Sequence, residues 1–295
     1  MRKHKAILIV GGSGLIGTRL ALRLREGYKV FTTYKMHRFS MPGVSVFPLD
    51  TLNRENCKRI VYTCQPDVIV YAAGNDDSQW AEKNESDTER VHGGGTVNVL
   101  TAAEILQPKF IYLSNPYVFD GRRGNYREDD IVLPGGVLGK SKLSAENFVK
   151  GKSLNYVILR ASPSYGRGSA LTHGFLDKIR TSLSKGEMLT LPHHELHSFT
   201  HTDTLIEMIT RLVDSGIRNK ILHLGGLTKL SKYEFAVRFA KRFGFDSNLI
   251  RPEENPEENL DYSLNSTNAI NLLKVNPLLL EQGFDLIEKR LVTHS

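Results

Sequence analysis

Seven residues near the start of the chain, Gly11-Gly12-Ser13-Gly14-Leu15-Ile16-Gly17, have the composition of a phosphate cradle. Gly12, Gly14 and Gly17 fit G-x-G-x-x-G, while Gly11, Gly14 and Gly17 fit the wider G-x-x-G-x-x-G. In either register the bare N–H groups of the turn and the positive end of a following helix hold a pyrophosphate, which side chains would exclude. Such a site marks NAD by an acid about 20 residues further on, hydrogen-bonded to the adenosine ribose. Here no Asp or Glu occurs between Glu26 and Asp50, and the expected second strand runs out into Tyr34-Lys35-Met36-His37-Arg38. Lys35 and Arg38 would suit a 2′-phosphate, so NADP is favoured over NAD. Asp50, closing the third expected strand, is a candidate for the adenine amino group.

These residues need a strand before the turn and a helix after it. Lys5–Val10 is an apolar run of β type, and Leu15, Ile16, Leu20 and Leu24 recur at helical spacing up to Gly27. Lys29–Tyr34 and Val44–Leu49 read as strands, Arg54–Gln65 as a helix and Val68–Ala73 as a strand. Glu89–Leu106 follows as a long helix, Lys109–Ser114 as a strand, about 137–150 as a helix and Tyr156–Ala161 as a strand. This alternation predicts an α/β fold, a Rossmann-type doubly wound parallel sheet with a ligand across the carboxyl ends of its strands.

Beyond Ser162 the rhythm loosens. A short strand over Gly186–Pro192, a helix over Thr202–Ser215 and a returning strand at Ile221–Leu224 are expected. Helices at Lys232–Phe243, Thr267–Leu273 and Leu278–Leu291 follow, with a polar, proline-broken loop at Arg251–Asn259. The expected partition is an NADP-binding domain of residues 1–162 plus about 196–224. A smaller α/β substrate-binding lobe takes about 163–195 plus 225–295.

At 295 residues the chain can bury a large core. No apolar run approaches the roughly 20 residues of a membrane span, and the apolar stretch after the basic start is too short for a signal-peptide core. Cys57 and Cys64, in one expected helix, suit neither a disulfide nor a metal pair. The chain reads as cytoplasmic and reduced. Its net charge of +7 comes without an aromatic-and-basic nucleic-acid motif, so a solvated surface or a pocket for a phosphorylated small molecule is the better reading.

Several segments together resemble the extended, atypical short-chain dehydrogenase/reductase superfamily. Within it they are similar to the dTDP-4-dehydrorhamnose reductase branch, which includes the regulatory β subunit of methionine adenosyltransferase. They are Gly11–Gly17, Pro66–Ala73, Tyr112–Gly121 and Gly139–Glu146, continued by Ile158–Arg160, Tyr165-Gly166, Tyr233–Ala236 and Leu260-Asp261. Tyr-Val-Phe-Asp-Gly at 117–121 and Ser-Lys-Leu-x-x-Glu at 141–146 are the most specific. The resemblance implies NADPH-dependent reduction of a keto group on a nucleotide-linked sugar, with the second lobe holding the substrate. It adds Ala72, Ala73 and Gly74 to the cofactor-binding candidates.

The resemblance also implies a catalytic set, from which this chain departs. The family's Tyr-Gly-x-Ser-Lys has a tyrosine four residues before the lysine, whose phenol donates a proton to the developing alkoxide. Here the lysine is Lys142, and Leu138 stands at the acid position. The helper hydroxyl is replaced by Asn115, beside Ser114, and two family asparagines are replaced by Gly136 and His92. The leading expectation is a dinucleotide-binding protein whose reductase chemistry has lapsed, serving as a binding or regulatory subunit or running other chemistry. The alternative is an active reductase with another proton donor, such as Tyr117, Tyr165 or a water held by Ser114 and Lys142. The partner is accordingly a nucleotide-sugar-like small molecule or a protein, not nucleic acid or membrane, and a homodimer is compatible with either.

His193-His194-Glu195-Leu196-His197 misses the H-E-x-x-H zinc spacing by one residue, so no metal is expected, and the resemblance implies that these histidines line a substrate cleft. Gly93-Gly94-Gly95 in mid-helix implies close packing against the sheet or cofactor. Trp80 lies in a polar stretch where the resemblance implies a cover over substrate.

Overall fold

All five residues of β1 (Ala6–Val10) are buried, as an apolar strand covered on both faces should be. The computed structural model describes residues 5–166, 174–253 and 258–292. From β1 the chain passes through α1 (Leu15–Leu24), β2 (Lys29–Tyr34), β3 (Val44–Pro48), α2 (Arg54–Cys64), β4 (Val68–Tyr71), α3 (Ser78–Lys83) and α4 (Glu85–Glu89). Next come α5 (Gly95–Ala102), β5 (Lys109–Ser114), α6 (Val137–Lys152), β6 (Tyr156–Ala161), β7 (Ser164–Tyr165), α7 (Phe175–Ser184) and β8 (Leu189–Leu191). The remainder is β9 (Glu195–Ser198), β10 (Thr200–His201), α8 (Thr202–Asp214), β11 (Lys220–Leu224), β12 (Lys229–Ser231), α9 (Lys232–Phe243), β13 (Ile250–Pro252), β14 (Leu260–Asp261), α10 (Thr267–Leu273) and α11 (Leu280–Val292).

Seven strands form a parallel sheet in the order β11-β6-β5-β4-β1-β2-β3. The chain moves outward from β1 through β2 to β3 and returns on the other side of β1 with β4. Where that order reverses, the ends of adjacent strands diverge and leave a crevice. The doubly wound α/β sheet expected from the alternation is the fold the chain adopts.

The chain divides into two compact units. The first comprises Met1–Val118, Val132–Arg160 and Ile206–Leu222; the second comprises Phe119–Ile131, Ala161–Leu205 and His223–Ser295. Residues 119–131 and 196–205, grouped with the first domain on sequence, thus fall in the second unit. The first core joins Leu8, Ile69, Phe110 and Ile158 from the sheet to Ile60, Leu100 and Val149 from helices. The second is aromatic, built on Tyr165, Phe199, Phe235, Phe239 and Phe284. Among the described residues no helix is long and apolar enough to cross a membrane.

The long helix expected over Glu89–Leu106 is interrupted. Between α4 and α5, Arg90–Gly94 forms a π-helical turn, and the helix ends at Ala102. A Cβ on Gly95 would lie 2.6 Å from both Thr51 Oγ1 and Tyr71 Oη, so Gly95 lets the helix press onto the end of β4. Gly93 meets nothing within 4 Å, and its packing explains none of its bareness. Arg251-Pro252, expected in a loop, pair with Thr190-Leu191 as β13 against β8, while residues 254–257 of that loop lie outside the described residues.

One ionic contact is sealed inside the first unit. Arg160 on β6 donates from Nε to Glu146 Oε1 at 2.9 Å and from Nη2 to Oε2 at 2.7 Å, with side chains 2% and 0% exposed. Glu146 lies one turn beyond Lys142 on α6, so this fork fixes the helix that carries the lysine. Removing one partner of such a pair leaves an uncompensated buried charge, at a cost of about 3–5 kcal/mol. Glu146→Ala is therefore expected to lose about that much unfolding free energy in a urea titration, and adding Arg160→Met should return part of it. A loss below about 1 kcal/mol would contradict this assignment.

Candidate functional site

β1 delivers the chain into the glycine turn at the reversal of strand order. Gly11 has φ +94°, and a Cβ there would lie 2.7 Å from the Ala72 carbonyl and the Ala73 nitrogen. A Cβ on Gly12 would meet Thr32 Oγ1 at 1.5 Å, and one on Gly17 would meet Gly11 O at 2.3 Å. These three glycines are dictated by crowding within the chain itself. Gly14 differs: its φ is −78°, and a Cβ would meet nothing nearer than Gly11 O at 3.4 Å. Neither strain nor internal packing requires glycine at 14, and the position leaves open space.

That space faces the start of α1. Gly14 caps the helix without a side chain, and no acid lies in the first turn. The first N–H groups and the positive helix end are thus available to an anion. The turn is tied to β2, since Gly11 N donates to Thr33 Oγ1 at 3.2 Å and Gly12 N to Thr33 O at 2.8 Å. Gly12, Leu15, Ile16 and Gly17 shape the turn, while Gly11, Ser13 and Gly14 border an open cavity of about 350 Å³. Ala72, Ala73, Gly74 and Asn75 form another side of it, and Lys35, Trp80 and His92 also border it. The volume falls in the range of roughly 300–1,000 Å³ usual for small-molecule sites.

Lys35 Nζ lies 3.4 Å from Asp50 Oδ1, in a pair exposed on both sides. Asp50, suggested by sequence for an adenine amino group, pairs with Lys35, accepts from Leu52 N at 3.0 Å and does not border the cavity. Arg38, exposed on the following loop, has no acidic partner among the described residues.

The catalytic positions named by the resemblance gather beside this cavity's β4 side but do not border it. Lys142 Nζ is 2.9 Å from Asp76 Oδ1, donates to Leu113 O at 3.1 Å and lies 5.6 Å over the Tyr112 ring. Asn115 Nδ2 reaches the same Asp76 oxygen at 3.4 Å, and Asn115 Oδ1 accepts from Tyr117 N at 3.1 Å. Leu138 is 1% exposed and contributes only apolar surface at the acid position. Ser114 Oγ is buried with no hydrogen-bond partner, and the half-buried Tyr117 accepts at its hydroxyl from Ser78 Oγ at 3.4 Å. Glu82 Oε1 accepts from Val137 N at 2.7 Å, so a carboxylate from α3 caps α6 where Gly136 has no side chain to do so.

Asp76 is the member of this cluster that sequence reasoning missed; its only signal was an acidic pair after an apolar strand. Neighbouring atoms crowd its carboxyl and oppose ionisation, but Lys142, His92 and Asn115 together hold its pKa below the usual carboxylate range. Its side chain remains 60% exposed, so water reaching the carboxylate also screens the pair.

His92 is 1% exposed beneath Gly74, with Nε2 3.1 Å from Asn75 O. Burial lowers its pKa to about 4, Lys142 acts in the same direction and Asp76 opposes it. The ring is therefore neutral, with the Nε2 proton on the Asn75 carbonyl. An unfolded histidine binds its proton near pH 6.5. Between about 6.5 and about 4 the unfolded chain thus holds more protons, and stability falls as the pH drops through that window. The gap corresponds to about 3 kcal/mol at most. His92→Asn should lose less stability than the parent between pH 6.5 and 4, by about that amount in denaturant titrations. Parallel pH profiles would refute the buried neutral imidazole.

Tyr165 leaves the list of substitute donors. It is 1% exposed in the aromatic core of the second unit, among Phe235 and Phe284, with its hydroxyl where a Gly283 side chain would be. Of the histidine run, His193 is exposed and His194 half-buried, while His197 enters the same unit's interior. His197 stacks on Tyr262 at 5.6 Å, its Nε2 3.5 Å from Glu195 Oε2, and burial holds its pKa below the ordinary value. No group of three or more metal-ligating side chains forms among the described residues.

The family described as RmlD substrate binding domain matches residues 5–269. The chain belongs to that family. Among curated relatives of this RmlD-type chain, methionine adenosyltransferase 2 subunit beta of Bos taurus is 29% identical over 262 residues, covering 84% of this chain and 75% of the relative. The probable low-salt glycan biosynthesis reductase Agl14 of Haloferax volcanii is 25% identical over 248 residues, covering 82% and 81%. The crystal structure of dTDP-4-dehydrorhamnose reductase from Bacillus anthracis in complex with NADP superposes with a TM-score of 0.82 at 22% identity, covering 97% of this chain and 99% of that one. At that identity the likeness is one of fold.

Proposed function

We propose that this RmlD-type chain binds NADP(H) in its first unit and has lost the proton relay of a keto-sugar reductase, so that it serves as a binding or regulatory subunit. One observation carries the reading: Leu138, buried and apolar, stands one turn before Lys142, whose ammonium is engaged by Asp76. The family's relatives include both a protein named as a subunit and one named as a reductase. The catalytic residues separate these roles, and in this chain they favour the subunit and hence a protein partner.

The glycine turn fits a dinucleotide. Gly14 leaves room that the fold does not need, beside an uncapped helix start. Gly11, Ser13 and Gly14 would hold the pyrophosphate, and Ala72, Ala73 and Gly74 would flank the middle of the molecule. When bound, the nicotinamide supplies or accepts a hydride. The second unit is assigned the nucleotide-sugar-like ligand. NADP is favoured over NAD because no acid ends β2, and because Arg38 has no acidic partner among the described residues. Lys35 is partly neutralised by Asp50, which makes Arg38 the stronger determinant.

In calorimetry NADPH should bind more tightly than NADH. Arg38→Ala should narrow the gap by on the order of 1–3 kcal/mol, the worth of hydrogen bonds to a charged group. Lys35→Ala should narrow it less, and equal affinities for the two cofactors in the parent protein would overturn the preference.

The alternative is an NADPH-dependent reductase of a nucleotide-linked keto-sugar in which Tyr117 donates the proton, since Asn115 Oδ1 holds its backbone beside the cluster. Turnover separates the two. A positioned acid contributes about 10²–10⁴-fold to such a step, so the unaltered protein should oxidise NADPH negligibly with dTDP-4-keto-6-deoxy sugars. Steady turnover abolished by Lys142→Met and by Tyr117→Phe would establish the alternative.

A further inference from the structure

Lys142 and Asn115 face a third group that neither the family pattern nor the sequence reading includes. Both point their donors at one oxygen, Oδ1 of Asp76, at 2.9 and 3.4 Å. The exposures are unequal: the Lys142 side chain is 3% accessible and that of Asp76 60%. Asp76 thus stands on the solvent side of an ammonium that it covers. The cavity beginning at the glycine turn is bordered by Gly74 and Asn75, and Asp76 is the next residue of the same loop. Lys142, Asn115 and Ser114 do not border that cavity.

We propose that Asp76 is a built-in competitor for the ligand position at Lys142, so that the pyrophosphate end of the site is open while the lysine end is latched. This inference rests on the dinucleotide reading above and deepens it. The resemblance implies that the lysine at this position holds a ribose hydroxyl of the dinucleotide, and that hydroxyl must displace a carboxylate that already accepts from both donors. The adenosine half of the same molecule meets no such obstacle, because the turn, Ser13 and the start of α1 lie along the open cavity. Full-length dinucleotide therefore spends part of its binding on opening the latch, whereas a ligand ending at the adenosine 5′-phosphate does not. Replacing Asp76 should strengthen binding of the first and leave the second unchanged. The charge on Asp76 is ionised in the folded protein, in keeping with its lowered pKa, so the latch is closed at neutral pH.

The test uses the full chain and two probes, NADPH and adenosine 2′,5′-bisphosphate, titrated by calorimetry into the parent, Asp76→Ala and Asp76→Asn. Thermal melts of each variant confirm folding, and the asparagine variant keeps the shape of the loop should alanine destabilise it. NADPH affinity is expected to rise on the order of tenfold in both variants, about the contribution of one hydrogen bond to a charged group, with the bisphosphate unchanged. A second readout needs no ligand: acylation of Lys142 by an amine-reactive ester, followed by peptide mass spectrometry, should be several-fold faster without the Asp76 carboxylate. Bisphosphate binding with unchanged or weakened NADPH binding in the variants would overturn the latch, the weakened case making Asp76 an aid to the lysine. Failure of both probes to bind the parent would instead overturn the dinucleotide reading, and the acylation rate would still decide whether Asp76 covers Lys142.

Discussion

The structure depends on the closeness of two strand ends. Where β1 gives way to the glycine turn, its backbone lies so near the residues after β4 that an added Cβ on Gly11 would sit 2.7 Å from Ala72 and Ala73. Everything functional in the first unit is arranged around that approach. It places the start of α1 across from Ala72–Asn75, and so sets the walls of the cavity. It brings the loop carrying Asp76 over the end of β5, where Asn115 and Lys142 wait with their donors. A larger residue at 11 would push the β4 loop outward and act on the cavity and the lysine together.

The glycines illustrate how a motif mixes two requirements. Three of the four are needed by the fold, since Gly11, Gly12 and Gly17 each face an atom closer than a Cβ tolerates. Only Gly14 is free of such pressure, and it is the one at the helix start. A glycine pattern alone therefore reports strand-to-helix packing more strongly than it reports a ligand.

Much of this was legible from the chain. The run Lys5–Val10, the turn and the amphipathic helix after it read directly, because their periodicities are local. The doubly wound parallel sheet followed from the alternation of strands and helices. The break at Arg90–Gly94 was not legible: three glycines in a helix announce a close approach without saying to what, and only Gly95 meets the sheet. Nor was the second unit's claim on 119–131, since Phe119 stacks on Tyr126 and Tyr126 N bonds to Ser263 O, more than a hundred residues away. Asp76 was missed for the same reason, as its partners lie 39 and 66 residues ahead (115 and 142 less 76) and no spacing rule joins them.

The retained lysine then has a physical explanation that does not involve turnover. An ammonium 3% exposed is costly unless its protons are matched, because desolvating a charge outweighs most single contacts. Here Leu113 O, Asp76 Oδ1 and the face of Tyr112 supply that compensation on three sides. Glu146 and Arg160 hold the same helix in place one turn further along. With Leu138 where the family pattern has its acid, the charge of Lys142 is still balanced, by the Asp76 carboxylate. A lysine in the family position is therefore compatible with an idle site. The residues that set this cluster apart from the family pattern are the neutral ones around the lysine, Leu138 and Asn115.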